Sequence, residues 1–260
     1  MMKLLIYTII FILSSTVFVS GADFTIDSAT TSTNGGNTIN GDDSLTITSS
    51  GSITVTGGNI AISSTNNSNT FTLDGDITAA ADGIYIRNGD SNTITVNSGS
   101  TITTGETDGS TMYSIWHNGG DSNIINVHGA IISKSRGAEC IHLRGGSNNT
   151  VNFTGTCTNL DESGNEEQNW GITFQGNGST PDNNQFTHTG TVKTSGSKAV
   201  GVMIDYKSEG GTFNIGGSTI VENTGSGQTI AGAFLSGNDN IYNFSGKVKA
   251  TGAQNNYGIL

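Results

Sequence analysis

The sequence is short of positive charge, of aliphatic residues and of cysteine, and each shortage closes off a class of protein. Ten Lys and Arg stand against 21 Asp and Glu, a formal net charge of −11, which argues against a surface for nucleic acid or anionic membrane. Aliphatic residues are too sparse for a leucine-rich helical bundle, a coiled coil or a polytopic membrane protein. Cys140 and Cys157 are the two cysteines, too few for a cysteine-built metal site. Proline occurs once, against 38 glycines. Such a composition lies near the border at which charged chains stay disordered, so the order of the residues has to decide.

Lys3 precedes an apolar run from Leu4 to Leu13, followed by Ser14, Ser15 and Thr16 and then the small residues Ser20, Gly21 and Ala22. That is the charged, apolar and small-residue order of a secretory signal peptide over residues 1–22, with cleavage after Ala22. The apolar run is about half the length that spans a bilayer. Export, to the cell surface or the extracellular space, is therefore expected, and an oxidising compartment allows a disulfide.

One phrase then recurs: a turn Asn, two alternating apolar residues, a Gly and a further apolar residue. It reads Asn69-Thr-Phe-Thr-Leu-Asp-Gly-Asp-Ile77, Asn123-Ile-Ile-Asn-Val-His-Gly-Ala-Ile131 and Asn149-Thr-Val-Asn-Phe-Thr-Gly-Thr-Cys157. Its leading apolar residues form the series Leu45, Phe71, Ile94, Ile125, Val151, Phe186, Phe213 and Tyr242. A second series runs Ile53, Ile77, Ile102, Ile131, Cys157, Val192, Ile220 and Val248. A third runs Ile60, Ile84, Ile115, Ile141, Ile172, Val202, Ala233 and Ile259. Three short period-2 strands per cycle cannot bury their apolar faces alone, whereas stacking each on its equivalent in the next cycle builds a continuous core.

The fold expected is all-β: a single-stranded parallel β-helix solenoid of three strands per coil and about eight coils. Residues 23–44, less regular, are expected to cap its N-terminal end, and residues 45–260 to form repeats that stop in mid-repeat at Tyr257-Gly-Ile-Leu260, as in a fragment of a longer product. The recurring Asn at positions such as Asn69, Asn92, Asn123 and Asn149 is expected to occupy the left-handed conformation of a tight corner. Strict alternation points Cys157 inward and Cys140, beside inward Ile141, outward, so two free thiols are expected rather than a bridge.

With its signal peptide, its acidic Gly/Thr/Asn/Ser-rich composition and coils such as Asn88-Gly-Asp-Ser-Asn-Thr-Ile-Thr-Val96 and Gly119-Gly-Asp-Ser-Asn-Ile-Ile-Asn-Val127, the chain resembles the β-helical passenger regions of autotransporters. The likeness extends over nearly all of residues 23–260 and is one of repeat style. It implies a right-handed helix, display at the outer membrane by the protein's own C-terminal β-barrel, which this sequence does not include, and a structural or adhesive role against a host or environmental glycan or surface.

Candidate sites are few. Outward positions of the third series read Tyr85, Trp116, His142, Thr173, Met203 and Phe234, an aromatic-enriched stripe on which a sugar could stack. Tyr85, Trp116 and Phe234 are the candidate ligand contacts, and cross-strand packing is the plain alternative. Arg87 and Arg144 follow on the same strands as solvated cations. Glycoside hydrolysis requires two carboxylates across the scissile bond, and Asp205 stands alone on this face. Asp161, Glu162, Glu166 and Glu167 crowd the longest loop without the alternation of a calcium site, and Gly35 to Leu45 carries a calcium-repeat phrase only once. His117 and His188 fall at inward positions on different strands, as core histidines. No catalytic residue, metal ligand or cofactor is assigned. The runner-up is a secreted polysaccharide-active β-helix enzyme, a lyase or glycoside hydrolase. An ice-binding face is the weakest reading, because Asn126, Asn152, Asn214 and Asn243 interrupt outward Thr72, Thr95 and Thr187.

Overall fold

The computed structural model describes residues 21–105, 112–135, 137–160, 169–176, 182–196, 198–222, 229–252 and 255–260. The expected signal peptide up to residue 20 and the acidic loop holding Asp161, Glu162, Glu166 and Glu167 lie outside the described residues. Among the described residues the chain is a parallel β-solenoid of three sheets, with nine, nine and eight strands. Each strand pairs in parallel with its equivalent one coil on. The first sheet starts at Asp23–Ile26 on Ser44–Ile47, and the second at Ala29–Thr30 on Ser52–Val55. A 3-10 turn at Thr33–Gly36 takes the third side of that opening coil. There the side-chain amide of Asn34 imitates a neighbouring strand: its Nδ2 donates to the Ser63 carbonyl at 3.1 Å and its Oδ1 accepts the Ser63 N–H at 2.9 Å.

The first apolar series forms one inward column as expected, from Leu45 through Phe71, Ile94, Ile125, Val151 and Phe186 to Phe213 and Tyr242. Phe174 packs its ring at 5.1 Å from Phe186 and 5.2 Å from Phe213, tying the third sheet to the first. Each such fully buried side chain contributes about 1.5–3 kcal/mol.

Two members of the other series are corrected. Ile62, not Ile60, pairs with Ile84, because Ala61 takes the small corner position that Gly83 takes in the next coil. Thr219, not Ile220, pairs with Val192 and is fully buried. It stands two residues after Gly217, as Ile131 stands after Gly129 and Cys157 after Gly155. The backbone spacing from the glycine sets which residue points inward, and an apolar side chain one place later does not override it. At Gly155 that glycine is obligatory, since a Cβ there would overlap the carbonyl oxygen of Gly129 in the coil before.

The corner asparagines do something other than expected. The left-handed residue is the one before each of them: Asp42, Ser68, Ser91, Ser122, Asn148, Asn183, Gly210 and Asp239 all have positive φ. The asparagines themselves form a ladder along the axis. Side-chain Oδ1 of Asn69, Asn92, Asn123, Asn149 and Asn184 accepts the backbone N–H of the equivalent residue one coil earlier, at 2.8–3.0 Å. Asp43 begins the ladder by accepting from Ala22 N–H at 2.7 Å. At Gly211 the rung is missing, and the Phe213 ring fills the space a Cβ would need. Beyond it Gly211 N–H donates to Asn240 Oδ1 at 2.8 Å.

Asn123 carries the most partners of this ladder, also donating to Asn149 Oδ1 and meeting His117 Nε2 at 2.8 Å. Asn123→Ala strands the buried amide of Asn92 and is expected to lower stability by about 2–3 kcal/mol. Asn240→Ala, at a half-buried rung, is expected to cost about 1 kcal/mol. Denaturant midpoints of the two variants check this, and equal losses would remove the ladder's claim to be a buried network.

The largest correction concerns the cysteines. Cys140 and Cys157 are disulfide-bonded, with Cα atoms 6.0 Å apart, and both are fully buried. Alternation fails at the corner that opens the third sheet. There two consecutive residues face inward: Ser114 with Ile115, Cys140 with Ile141, Gly171 with Ile172. The first of each pair packs against the second sheet, so Ser114 Oγ meets Thr104 Oγ1 at 2.7 Å and Cys140 reaches Cys157.

Candidate functional site

The outward stripe of the third sheet is a continuous column: Tyr85, Trp116, His142, Thr173, Met203 and Phe234 are successive register partners. It divides unequally. Tyr85 and Trp116 are half-buried and stacked, with centroids 4.3 Å apart and planes 20° from parallel. His142 and Thr173 are buried. Phe234 lies four rungs beyond Trp116, roughly 19 Å at the strand spacing, so the structure does not bring it to the other two aromatics.

A second column, one bend earlier in each coil, goes unmarked by the two-residue period of the sequence. Asp82, Tyr113, Glu139 and Trp170 occupy the same place in four consecutive coils, two residues before the inward Ile84, Ile115, Ile141 and Ile172. That shared offset is the signal that identifies them. The Tyr113 ring lies 4.8 Å from Trp116 and 4.7 Å from His142, and Glu139 Oε2 sits 2.9 Å from His142 Nδ1, both side chains buried. Asp82 Oδ1 accepts the Tyr113 backbone N–H at 2.8 Å. Burial pushes the Asp82 carboxyl up to about 6, against the pull of that N–H and of His142. Tyr113 is pushed up to about 12, first by burial and then by the carboxylates of Glu139 and Asp82. The arrangement can hold a proton at Asp82 in mildly acidic solution and keeps the Tyr113 phenol neutral.

Below this cluster, a groove of about 460 Å³ is lined by residues between Asn34 and Ile39 and between Ile60 and Asn66, with Tyr85 and Arg87 on its wall. The rest of its lining is uncharged, including Asn37, Thr38, Thr65 and Asn66. Arg87, Asn118 and Arg144 form the next outward column, and all are at least partly exposed. Among the described residues the ion pairs are His142 with Glu139 and Lys193 with Glu222, so neither arginine is paired there. Asp205, Thr72, Thr95 and Thr187 lie apart from this groove. Asn152 Nδ2 donates to Asn126 Oδ1 at 2.9 Å and Asn243 Nδ2 to Asn214 Oδ1 at 2.8 Å, so the asparagines that interrupt the threonine row form short ladders of their own.

The two inward histidines are buried in the core. Burial lowers both to about 4. Among the described residues no three His, Cys, Asp or Glu converge as a metal site, and no helix is long and apolar enough to cross a membrane.

The fold and this face define a parallel β-solenoid with a groove of mixed lining, bordered by Tyr85 and Arg87, at one end of its third sheet. No protein-family model, curated protein or solved structure matches the chain.

Proposed function

We infer that the protein is an exported structural or adhesive rod of the autotransporter-passenger kind, displayed at the outer surface through its own C-terminal β-barrel, with a glycan or host surface as its partner. The observation that carries the reading is the uninterrupted parallel pairing from Asp23 onward, since each coil can fold on its predecessor as the chain emerges. The buried Cys140–Cys157 disulfide supports export, because such bonds persist in oxidising compartments. Expression of the complete gene in a Gram-negative host, followed by protease treatment of intact cells, tests it. Cleavage of the chain from intact cells is the expected result, and a chain protected until lysis would overturn the reading. Trp116→Ala is expected to weaken adhesion to glycan-bearing surfaces several-fold.

The column of Asp82 and Glu139 favours a second reading, a polysaccharide-active enzyme. It places Asp82, whose carboxyl burial holds up to about 6, two rungs along one column from the carboxylate of Glu139, and glycosidases use such a pair with one member held protonated. Reproducible shortening of acidic or neutral glycans by the purified chain, abolished by Asp82→Asn, would establish it in place of the rod.

A further inference from the structure

The geometry points to a binding site for a carboxylate-bearing saccharide, lying along the solenoid axis from the groove over the third sheet, with a sugar ring against Tyr85 and its carboxylates on Arg87 and Arg144. This deepens the adhesive reading above by naming the ligand's chemistry.

Three features converge. The Tyr85 ring, held against Trp116 on one side, lines the groove as well and there can pack on the C–H face of a sugar ring. Two residues beyond Tyr85, Trp116 and His142 on their three strands, Arg87, Asn118 and Arg144 project from the same side of the sheet, with Asn118 between the arginines. Asn118 Nδ2 donates to Tyr85 Oη at 3.3 Å, joining the aromatic and basic columns into one surface. Finally, the groove that leads onto this surface combines Ile39, Ile60 and the Tyr85 ring with asparagines and hydroxyls, and Arg87 is its one charged residue, a composition that packs on and hydrogen-bonds a sugar without competing for the carboxylate.

The spacing selects the ligand further. Arg87 and Arg144 are two rungs apart, about 9.6 Å at the inter-strand distance. In an extended β-linked polysaccharide, substituents on one edge recur at every second sugar, a repeat of similar length. An arginine fork binds a carboxylate in two parallel hydrogen bonds, so each arginine can hold one acidic sugar of an alternating pair. On a chain of net charge −11, two unpaired arginines on one face are a local departure from the prevailing sign. A nucleic acid, with a charge on every residue of each strand, would meet mostly repulsion from such a chain.

The test uses the purified full chain and two probes: a β-linked hexasaccharide in which glucuronate alternates with a neutral sugar, and the same oligosaccharide with its carboxyls reduced to hydroxymethyl groups. Binding is followed by tryptophan fluorescence and by calorimetry. The carboxylate form is expected to bind at least tenfold tighter than the reduced form. Arg87→Gln and Arg144→Gln are each expected to weaken it about tenfold, and the double variant about a hundredfold, as for independent sites. Arg87→Lys is expected to recover only part of the loss, because an ammonium cannot form the fork. Tyr85→Ala is expected to weaken both probes alike. All these positions are at least partly exposed, and unchanged melting curves confirm that each variant is folded.

Equal affinity for the two probes, wild-type affinity in the double arginine variant, or no binding of either probe overturns the proposal. Adhesion of cells displaying the chain is scored separately. Adhesion that survives in the double arginine variant leaves the rod reading standing and counts against this site. Saccharide binding by a chain that confers no adhesion supports the site and overturns the adhesive role.

Discussion

Acidification from about pH 7 to pH 4 should destabilise the fold by about 3 kcal/mol net, and by about twice that in the Asp82→Asn variant. The sign follows from three buried groups. His117 and His188 are lowered by burial from 6.5 to about 4, so the unfolded chain takes up protons before the folded one does. Their contribution is intact above pH 6.5 and is withdrawn as the pH falls towards 4, on the order of 3 kcal/mol for each. For His117 the carboxylates of Asp121 and Asp90 offset only some of the burial. Asp82 works in the opposite direction. Raised from 3.8 to about 6, it holds a proton in the folded state while the unfolded chain has lost its own. It therefore opposes folding at neutral pH and returns about 3 kcal/mol as the pH falls through the same window. Replacing it by Asn removes that compensation and raises stability at pH 7. Urea midpoints at pH 7, 5.5 and 4 for the two chains check the claim. A wild-type midpoint that rises on acidification would contradict it.

Loss of the Cys140–Cys157 bond should lower stability by about 3 kcal/mol. The bond joins residues 17 apart in sequence, and closing a loop of that length removes roughly this much freedom from the unfolded chain. A clean comparison is the pair Cys140→Ser with Cys157→Val. Ser114 stands at the position of Cys140 one coil earlier, and Val192 at that of Cys157 one coil later, so both replacements are side chains the solenoid already accommodates. Wild-type protein is expected to lose stability on reduction by dithiothreitol, and the double variant to be indifferent to it. A variant as stable as the oxidised parent would show that the coil is held by packing alone.

The repeat is legible because backbone geometry imposes it at every coil. Phe71, Ile125 and Val151 announce themselves at a fixed offset from a glycine and an asparagine, and the structure stacks them in one column. Expectation fails at positions where it followed residue type and the structure follows spacing. Ile220 is more apolar than Thr219 and Ile60 as apolar as Ile62, yet the corner glycine or alanine decides which one points inward. Alternation misplaces Cys140 because it does not persist through a bend where two successive residues face the core. The asparagines are recognisable as corner residues on conformational grounds, whereas their carbonyl oxygens are the point, and hydrogen bonds between coils have no signature within a single coil. On the functional face, the stack of Tyr85 and Trp116 follows from their shared strand position. Asp82, Tyr113 and Glu139 stand before the alternating segment begins, where no two-residue period marks them, and only alignment of whole coils brings them into one column.

The asparagine ladder has a direction. Every Oδ1 accepts from the coil before it and none from the coil after, so each layer is completed by its successor. Under tension applied at its two ends, such a rod would unravel layer by layer, each release freeing one coil of 23 to 35 residues and exposing the next seam. The bridged loop between Cys140 and Cys157 would withhold its own length from that release. Force–extension traces would then carry a sawtooth whose teeth follow the coil lengths in order, with the tooth of the bridged loop cut short, a mechanical record of where the covalent stitch lies.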